Sequence, residues 1–189
     1  MLAAQLINTS FPSVHLLDKA SFALQLMEDY DLQHLCVTTD EKLVGIVDKN
    51  ALLDTDETAV IASLQDEFIM ASVHADAHFL EASSLLSLHE LTMLPVVSTA
   101  ADLLGVITAK HMLTILTSYL GADTKGGVIV LEMERKQYSF GEIARLVETN
   151  DAYVTQLNTT TDPQTGMLLV TLQINRIEVS TIVATFQRY

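Results

Sequence analysis

Apolar positions along the first 120 residues form a pattern that occurs twice. Ala23, Leu26, Met27 and Tyr30 keep the i, i+3, i+4, i+7 spacing of one buried helical face. Asp18 stands ahead of them as the expected N-cap. Two short apolar runs follow, Leu35 to Thr38 and Leu43 to Val47, on either side of an Asp40-Glu41 turn. They predict a pair of strands, and a second helix is expected from about Lys49. The order then returns. Phe79, Ala82, Leu85, Leu86 and His89 mark a helix with Asp76 as its expected cap. Strands are expected at Leu94 to Ser98 and Leu103 to Ile107, around Ala101-Asp102, and another helix from about Lys110. Apolar residues stand at consecutive positions in these runs, which predicts strands covered on both faces.

Aligning the copies fixes the period. Val14-His15 recurs as Val73-His74, and Ala23, Leu26, Leu35 and Val37 recur as Ala82, Leu85, Leu94 and Val96, all at an offset of 59. Leu43, Gly45 and Leu53 then match Leu103, Gly105 and Leu113 at an offset of 60. The slip falls where Thr38 to Lys42 faces Val97 to Asp102, so a turn absorbs it. Each copy reads β-α-β-β-α and is too small to bury its own sheet. The two are therefore expected to pack as a pair, repeat 1 over residues 1–60 and repeat 2 over 61–120.

The remainder has a different rhythm. Residues 121–127 are polar and Gly-rich and read as a linker. Val128 to Met133 predicts a strand, and Ser139-Phe140-Gly141-Glu142 a capping box opening a helix with Ile143, Leu146 and Val147 on one face. Tyr153 to Asn158 predicts a second strand. Asp162-Pro163-Gln164-Thr165-Gly166 predicts a turn, Met167 to Ile174 a third strand, and Val179 to Phe186 a closing helix. Residues 128–189 thus repeat the β-α-β-β-α order.

Composition narrows the classes of function. With 49% hydrophobic and 18% charged residues in 189, the chain is globular. A net charge of −14 leaves no basic footprint for nucleic acid and disfavours anionic membrane surfaces. No apolar run approaches the roughly 18 residues of a membrane helix. Met1 to Ile7 lacks the basic start of a signal peptide. The single cysteine, Cys36, lies in an apolar run and is expected to be a buried, inert thiol, consistent with a cytoplasmic location.

The second copy has the clearest signatures, Met93-Leu94-Pro95-Val96-Val97 and Leu104-Gly105-Val106-Ile107-Thr108-Ala109-Lys110-His111-Met112. A tandem of such units, with a hydrophobic-Gly-hydrophobic-hydrophobic strand leading into a helix, resembles a cystathionine-β-synthase (CBS) domain pair. The C-terminal order resembles an ACT-type (ferredoxin-like) regulatory domain lacking its last strand, which would lie past Tyr189. Together they resemble acetoin-utilisation-type regulatory proteins. The expected class is α/β (α+β), two CBS-like repeats followed by an ACT-like unit.

The CBS resemblance implies adenosine ligands in clefts between the copies, held by a Gly-apolar-apolar-Thr/Ser-x-x-Asp motif. The hydroxyl would serve phosphate or ribose, and the Asp the ribose hydroxyls. A helix N-terminus favours the same anion. In copy two Thr108 is present, but His111 replaces the Asp. Thr108, Lys110, His111 and the loop residue His74 are the candidate nucleotide-binding set; the competing reading makes Thr108 a helix cap and His111 a surface residue. In copy one Asp48 stands at the hydroxyl position and Ala51 at the Asp position. Asp48 is expected to cap its own helix and keep phosphate out.

Other clusters carry less chemistry. His74-Ala75-Asp76-Ala77-His78 holds metal-ligand residue types but no third partner placed by sequence, so no metal site is assigned. No Gly-x-Ser-x-Gly, P-loop or His-Glu-x-x-His is present, and no catalytic residue is assigned. Asp54 to Glu57 reads as a solvated acidic patch before a helix. In ACT-type domains the loop matching Glu132 to Gln137, here with Arg135 and Lys136, often binds amino acids, but its usual Gly is missing. Met27 and Met112 read as core residues. The expectation is a non-catalytic regulatory module that needs no resident cofactor and senses a small ligand, an adenine nucleotide. It would couple that ligand to a homodimer or a partner enzyme. The stripe Met112, Ile115, Leu116 and Tyr119 and the edge of the last sheet are the candidate dimer surfaces. The alternatives are a structural dimerisation module with ligand-free clefts, and a metal-dependent activity at the His74–His78 loop.

Overall fold

In the computed structural model, which describes residues 1–188, the repeated pattern becomes two three-stranded sheets of identical topology. Copy one runs β1 (Ser13–His15), α1 (Ala20–Asp29), β2 (His34–Thr39), β3 (Lys42–Asp48) and α2 (Lys49–Leu53). Copy two runs β4 (Val73–His74), α3 (Phe79–Leu88), β5 (Met93–Val97), β6 (Leu103–Thr108) and α4 (Ala109–Tyr119). In each the first strand pairs parallel with the second, and the second antiparallel with the third. Even the ladder irregularity is shared, between Val37 and Thr38 and between Val96 and Val97. Thr38 pairs with Leu43, and Val97 with Leu103, so the extra residue of copy two lies inside the turn.

Local chemistry departs from expectation at the helix starts. Asp18 does not cap α1; its Oδ2 accepts the His15 N–H at 2.7 Å, closing the turn before the helix, and Lys19 takes the N-cap position without a side-chain bond. Asp76 does not cap α3 either, because the helix starts later, with the His78 ring accepting the Leu80 N–H. Tyr30 is exposed, since α1 stops at Asp29 and Asp31 turns the chain with φ +53°. The acidic patch Asp54 to Glu57 follows α2 instead of opening an α-helix, and Asp56 Oδ1 accepts from the Thr58 N–H and hydroxyl.

Every residue of β5 is buried, as are the first four of β2, because each sheet has a helix on one side and the other copy on the other. Met93 and Val106 of copy two belong to the same core as Leu35, Val37 and Val47 of copy one. At about 1.5–3 kcal/mol for each fully buried aliphatic side chain, neither copy would keep its core alone.

The segments ahead of β1 and β4 cross over between copies. Met1–Asn8 bonds to copy two: Ala3 N–H to Ala77 O, Ala4 N–H to Ala75 O, and Asn8 to Val106 in both directions. Residues 61–69 bond to copy one: Ile61 N–H to Asp18 O, and Ile69 to Ile46 in both directions. These crossings explain the two shared glycines. A Cβ on Gly45 would lie 2.9 Å from Phe68 Cβ, and one on Gly105 2.6 Å from Ile7 Cγ2 and 2.8 Å from Asn8 O.

Backbone contacts divide the chain into two compact units, Met1–Thr114 and a second from Ile115 onward. The second contains β7 (Gly127–Met133), α5 (Phe140–Glu148), β8 (Val154–Thr161), β9 (Leu168–Ile174) and α6 (Ser180–Phe186). Its sheet is antiparallel in the order β7-β9-β8. Val170, Leu172 and Ile174 alternate toward Ile143, Val147 and Ile182 on the helices. Ser139 accepts the Glu142 N–H, but the reciprocal half of the expected capping box is missing because Arg145 holds the Glu142 carboxylate at 2.6 and 3.0 Å. The Gly-rich stretch is docked on this sheet, with Gln173 Nε2 donating to Gly121 O at 2.7 Å and to Thr124 Oγ1 at 3.0 Å.

Candidate functional site

The two strand-to-helix corners, β3 to α2 and β6 to α4, are built on one backbone plan. At each, the helix's first N–H bonds to a carbonyl just before the central strand: Lys49 N–H to Gln33 O and Ala109 N–H to Thr92 O, both 2.9 Å. The side chains differ. Asp48 Oδ1 accepts the Asn50 N–H at 2.7 Å, so a fixed carboxylate sits at the start of α2. Thr108 Oγ1 accepts the His111 N–H at 3.1 Å, so a neutral hydroxyl caps α4 and still has its own hydrogen to donate. Asp48 thus occupies the position sequence assigned it, and Thr108 makes the bond of a helix cap.

Thr108, Lys110 and His111 lie together within the first turn of α4. Lys110 and His111 are exposed and Thr108 half-buried. His74 does not join them. It pairs with Val97 at the far end of β5, whereas Thr108 pairs with Met93 at its start. Four strand steps separate those positions, about 13 Å. His74, Asp76 and His78 are exposed, and among the described residues no group of three metal-ligand side chains converges.

Sequence reasoning missed His34. It is buried in copy one at 6% exposure and reaches in two directions. Its Nδ1 lies 2.8 Å from Thr92 Oγ1 and 3.3 Å from the Thr92 backbone nitrogen, and its Nε2 lies 3.4 Å from Asp48 Oδ2. A backbone N–H aimed at Nδ1 requires a lone pair there, so in the neutral ring the hydrogen sits on Nε2, on the side of Asp48. Burial holds the imidazole below its usual pKa, opposed by the negative charge of Asp48. The signal available in sequence was the alignment itself, which sets a polar His34 against Met93.

At the other end of β3, a cavity of about 170 Å³ lies between the copies, lined by Val44, Gly45, Met70, Ala71, Val97 and Ala101. That is below the ~300 Å³ at the lower end of small-molecule pockets. The turns beside it are tied together by Lys42 Nζ, which donates to Ala100 O at 2.6 Å and reaches Asp102 at 3.4 Å. The Ser98 hydroxyl, with Lys42, holds the Asp102 carboxyl below the usual range. Burial pushes the Cys36 thiol up to about 12, which fits an inert core residue.

In the C-terminal unit a groove of about 710 Å³ runs along the free edge of β7, walled by Ile143 and Leu146 of α5 and by Val179, Val183 and Phe186 beside and on α6. The Glu134–Gln137 loop closes on itself. Lys136 pairs with Glu134 at 2.6 Å, and Arg135 donates to Thr161 Oγ1. Of the proposed dimer stripe, Met112 is buried in the core, Ile115 and Leu116 are half-buried, and Tyr119 is exposed. No helix among the described residues is long and apolar enough to cross a membrane.

Two β-α-β-β-α units with crossed leaders and matched strand-to-helix corners define a tandem α/β pair. The sequence profile of the CBS domain matches twice, over residues 3–57 and 66–118, and the chain belongs to the CBS domain family. Among solved structures, it is similar to a CBS domain pair/ACT domain protein from Thermotoga maritima, with 24% identity, a TM-score of 0.58, and coverage of 64% of this chain and 99% of that one. CBSX2 in complex with AMP matches at 20% identity and TM-score 0.54, over 62% of this chain and 97% of that one. Hypoxic Response Protein I with two coordinated zinc ions matches at 22% identity and TM-score 0.53, over 60% and 98%. These likenesses are in fold. No curated protein matches the sequence.

Proposed function

We propose that this chain is a non-catalytic regulatory protein whose CBS pair senses an adenine nucleotide at the copy-two corner and relays its occupancy to the C-terminal unit. CBS domain pairs are in general regulatory modules that bind adenine nucleotides. The observation that carries the reading is the difference between the corners. An anionic ligand meets a bound carboxylate at Asp48, but at Thr108 it meets a hydroxyl, the exposed Lys110 and His111, and the N-terminus of an eleven-residue helix. We read the C-terminal unit as ACT-like, from its β7-β9-β8 order and the two helices on one face of its sheet. In this reading it is the output element, and oligomerisation or a partner enzyme reads its state.

A second reading has its own support. Thr108 is already engaged as a cap, and neither Ala51 nor His111 supplies the family's ribose-binding carboxylate. On that reading the pair is a dimerisation scaffold with ligand-free clefts. Thermal denaturation of the full chain with AMP, ATP, NAD, S-adenosylmethionine, amino acids or divalent metals separates the two. A ligand at one hundred times its Kd stabilises by about 2.7 kcal/mol. Sensing requires a nucleotide shift that Thr108→Ala removes, measured relative to the ligand-free variant because the substitution also uncaps α4. If no compound moves the midpoint, the scaffold reading stands. A zinc shift that survives Thr108→Ala but not His78→Ala moves the site to the His74–His78 loop.

A further inference from the structure

Among the described residues, His34 alone of the polar side chains is buried, and its polar contacts join the two corners. The path starts at α4, where Ala109 N–H bonds to Thr92 O. Thr92 meets His34 Nδ1 through both its backbone N–H and its hydroxyl. His34 Nε2 reaches Asp48 Oδ2, and Asp48 Oδ1 holds the Asn50 N–H in the first turn of α2. A continuous line of polar contacts therefore passes from copy two into copy one through a single imidazole.

Packing alone does not require this residue. The equivalent position in copy two is Met93, which is 1% exposed and makes the same sheet with an apolar side chain. A buried imidazole costs desolvation unless its nitrogens have polar partners; here Nδ1 is hydrogen-bonded to Thr92 and Nε2 lies 3.4 Å from the Asp48 carboxylate. Such a bonded network holds its members in one relative orientation, whereas apolar contacts tolerate sliding. The ring also has distinct sides for the two copies, an acceptor toward Thr92 and an electrostatic contact with Asp48.

We infer that His34 is a positioning residue that couples the two corners, so that a change of hydrogen bonding at the start of α4 alters the Asp48 cap of α2, and the reverse. The coupling is a property of the fold. Its use in transmitting ligand occupancy rests on the nucleotide-sensing reading above.

The test applies nuclear magnetic resonance to the ¹⁵N-labelled full chain. Asp48→Asn changes charge at the copy-one end only. The expected result is that the Thr92 and Ala109 amide resonances move by more than a line width, and that the His34 ring nitrogens shift with them. In a His34→Met background, which copies the residue of copy two, the same Asp48→Asn change leaves Thr92 and Ala109 in place. If His34→Met does not fold, Thr92→Val replaces it. That variant removes only the hydroxyl, and it must move the His34 ring nitrogens and the Asn50 amide. The inference is overturned if Asp48→Asn leaves Thr92 and Ala109 unmoved, if it moves them equally without His34, or if Thr92→Val leaves Asn50 unmoved. AMP is then titrated into both backgrounds. If AMP binds, Asn50 must move with His34 and stay still without it; movement without His34 overturns the relay. If AMP does not bind, the Asp48→Asn result alone decides the coupling, and the sensing reading is decided by the thermal screen above.

Discussion

The two copies reach the same corner with opposite chemistry. Copy one places a charge there, with Asp48 capping α2 and the buried His34 ring 3.4 Å from its carboxylate. Copy two has a hydroxyl in place of the carboxylate and a methionine in place of the imidazole. They share a backbone frame, since strand order, bulge position and the helix-start bond agree, although α2 has five residues and α4 eleven. The difference shows that the repeat specifies a scaffold, and that what each corner can bind is decided by two or three side chains placed on it.

The comparison is broken most severely where the copies depend on each other. Gly105 has φ +141°, and a Cβ there would strike the crossing leader at Ile7 and Asn8. Gly45 lacks the unusual φ and would strike only Phe68 and Met70 side chains. Gly105→Ala is expected to cost about 2–4 kcal/mol, from backbone strain together with overpacking against main chain. Gly45→Ala is expected to cost about 1–2 kcal/mol, from overpacking against Phe68 Cβ without added backbone strain. Chemical denaturation of the two variants under the same conditions checks the order. Equal losses would mean that the leader of copy one is not held as tightly as the segment before β4.

The next contrast lies in the caps. Asp48→Ala removes a charged cap and the carboxylate 3.4 Å from His34 Nε2, an expected loss of about 1–2 kcal/mol. Thr108→Ala removes a neutral cap with no buried dependent, an expected loss of about 0.5–1 kcal/mol. If the two losses measured by denaturation are the same, the His34 contact with Asp48 contributes nothing to stability.

How far the sequence revealed this arrangement follows from the range of each interaction. The strands and helix faces were legible because burial imposes a period on consecutive residues, as at Leu35 to Val37 and Leu94 to Val96. Asp48 as a cap was legible because its partner is two residues away. Asp18 was misassigned because an aspartate before a helix can close the preceding turn as readily as the helix, and Asp76 because α3 starts two residues later, with His78 as its cap. Where the His15 N–H sits, which decides the matter for Asp18, is a three-dimensional fact. The shared Gly45 and Gly105 were read as part of a ligand motif, yet each also makes room for a leader from far along the chain. His74 was grouped with Thr108 by analogy of position, and only the pairing register separates them along β5. His34 escaped notice because both its partners are remote, Thr92 by 58 residues.

The finest expected effect is a pH dependence that belongs to copy one alone. His34 is held below its usual pKa by burial, against the pull of Asp48, so the unfolded chain takes up a proton at higher pH than the folded one. Stability from this group is complete above the unfolded value of about 6.5 and is lost as pH falls from there toward the lowered folded pKa. The slope cannot exceed one proton, or about 1.4 kcal/mol per pH unit. Carboxylates act later. Asp102, held down by Ser98 and Lys42, and Glu142, held down by Arg145, lose their contributions only as pH drops through and below about 4. Between pH 6.5 and 5, the difference in stability between the native chain and His34→Met therefore reports His34 itself. A difference that shrinks as pH falls shows the imidazole neutral in the fold and bonded as described. A constant difference would mean that His34 titrates alike in the folded and unfolded chains, and the contrast between His34 and Met93 would then be one of shape without charge.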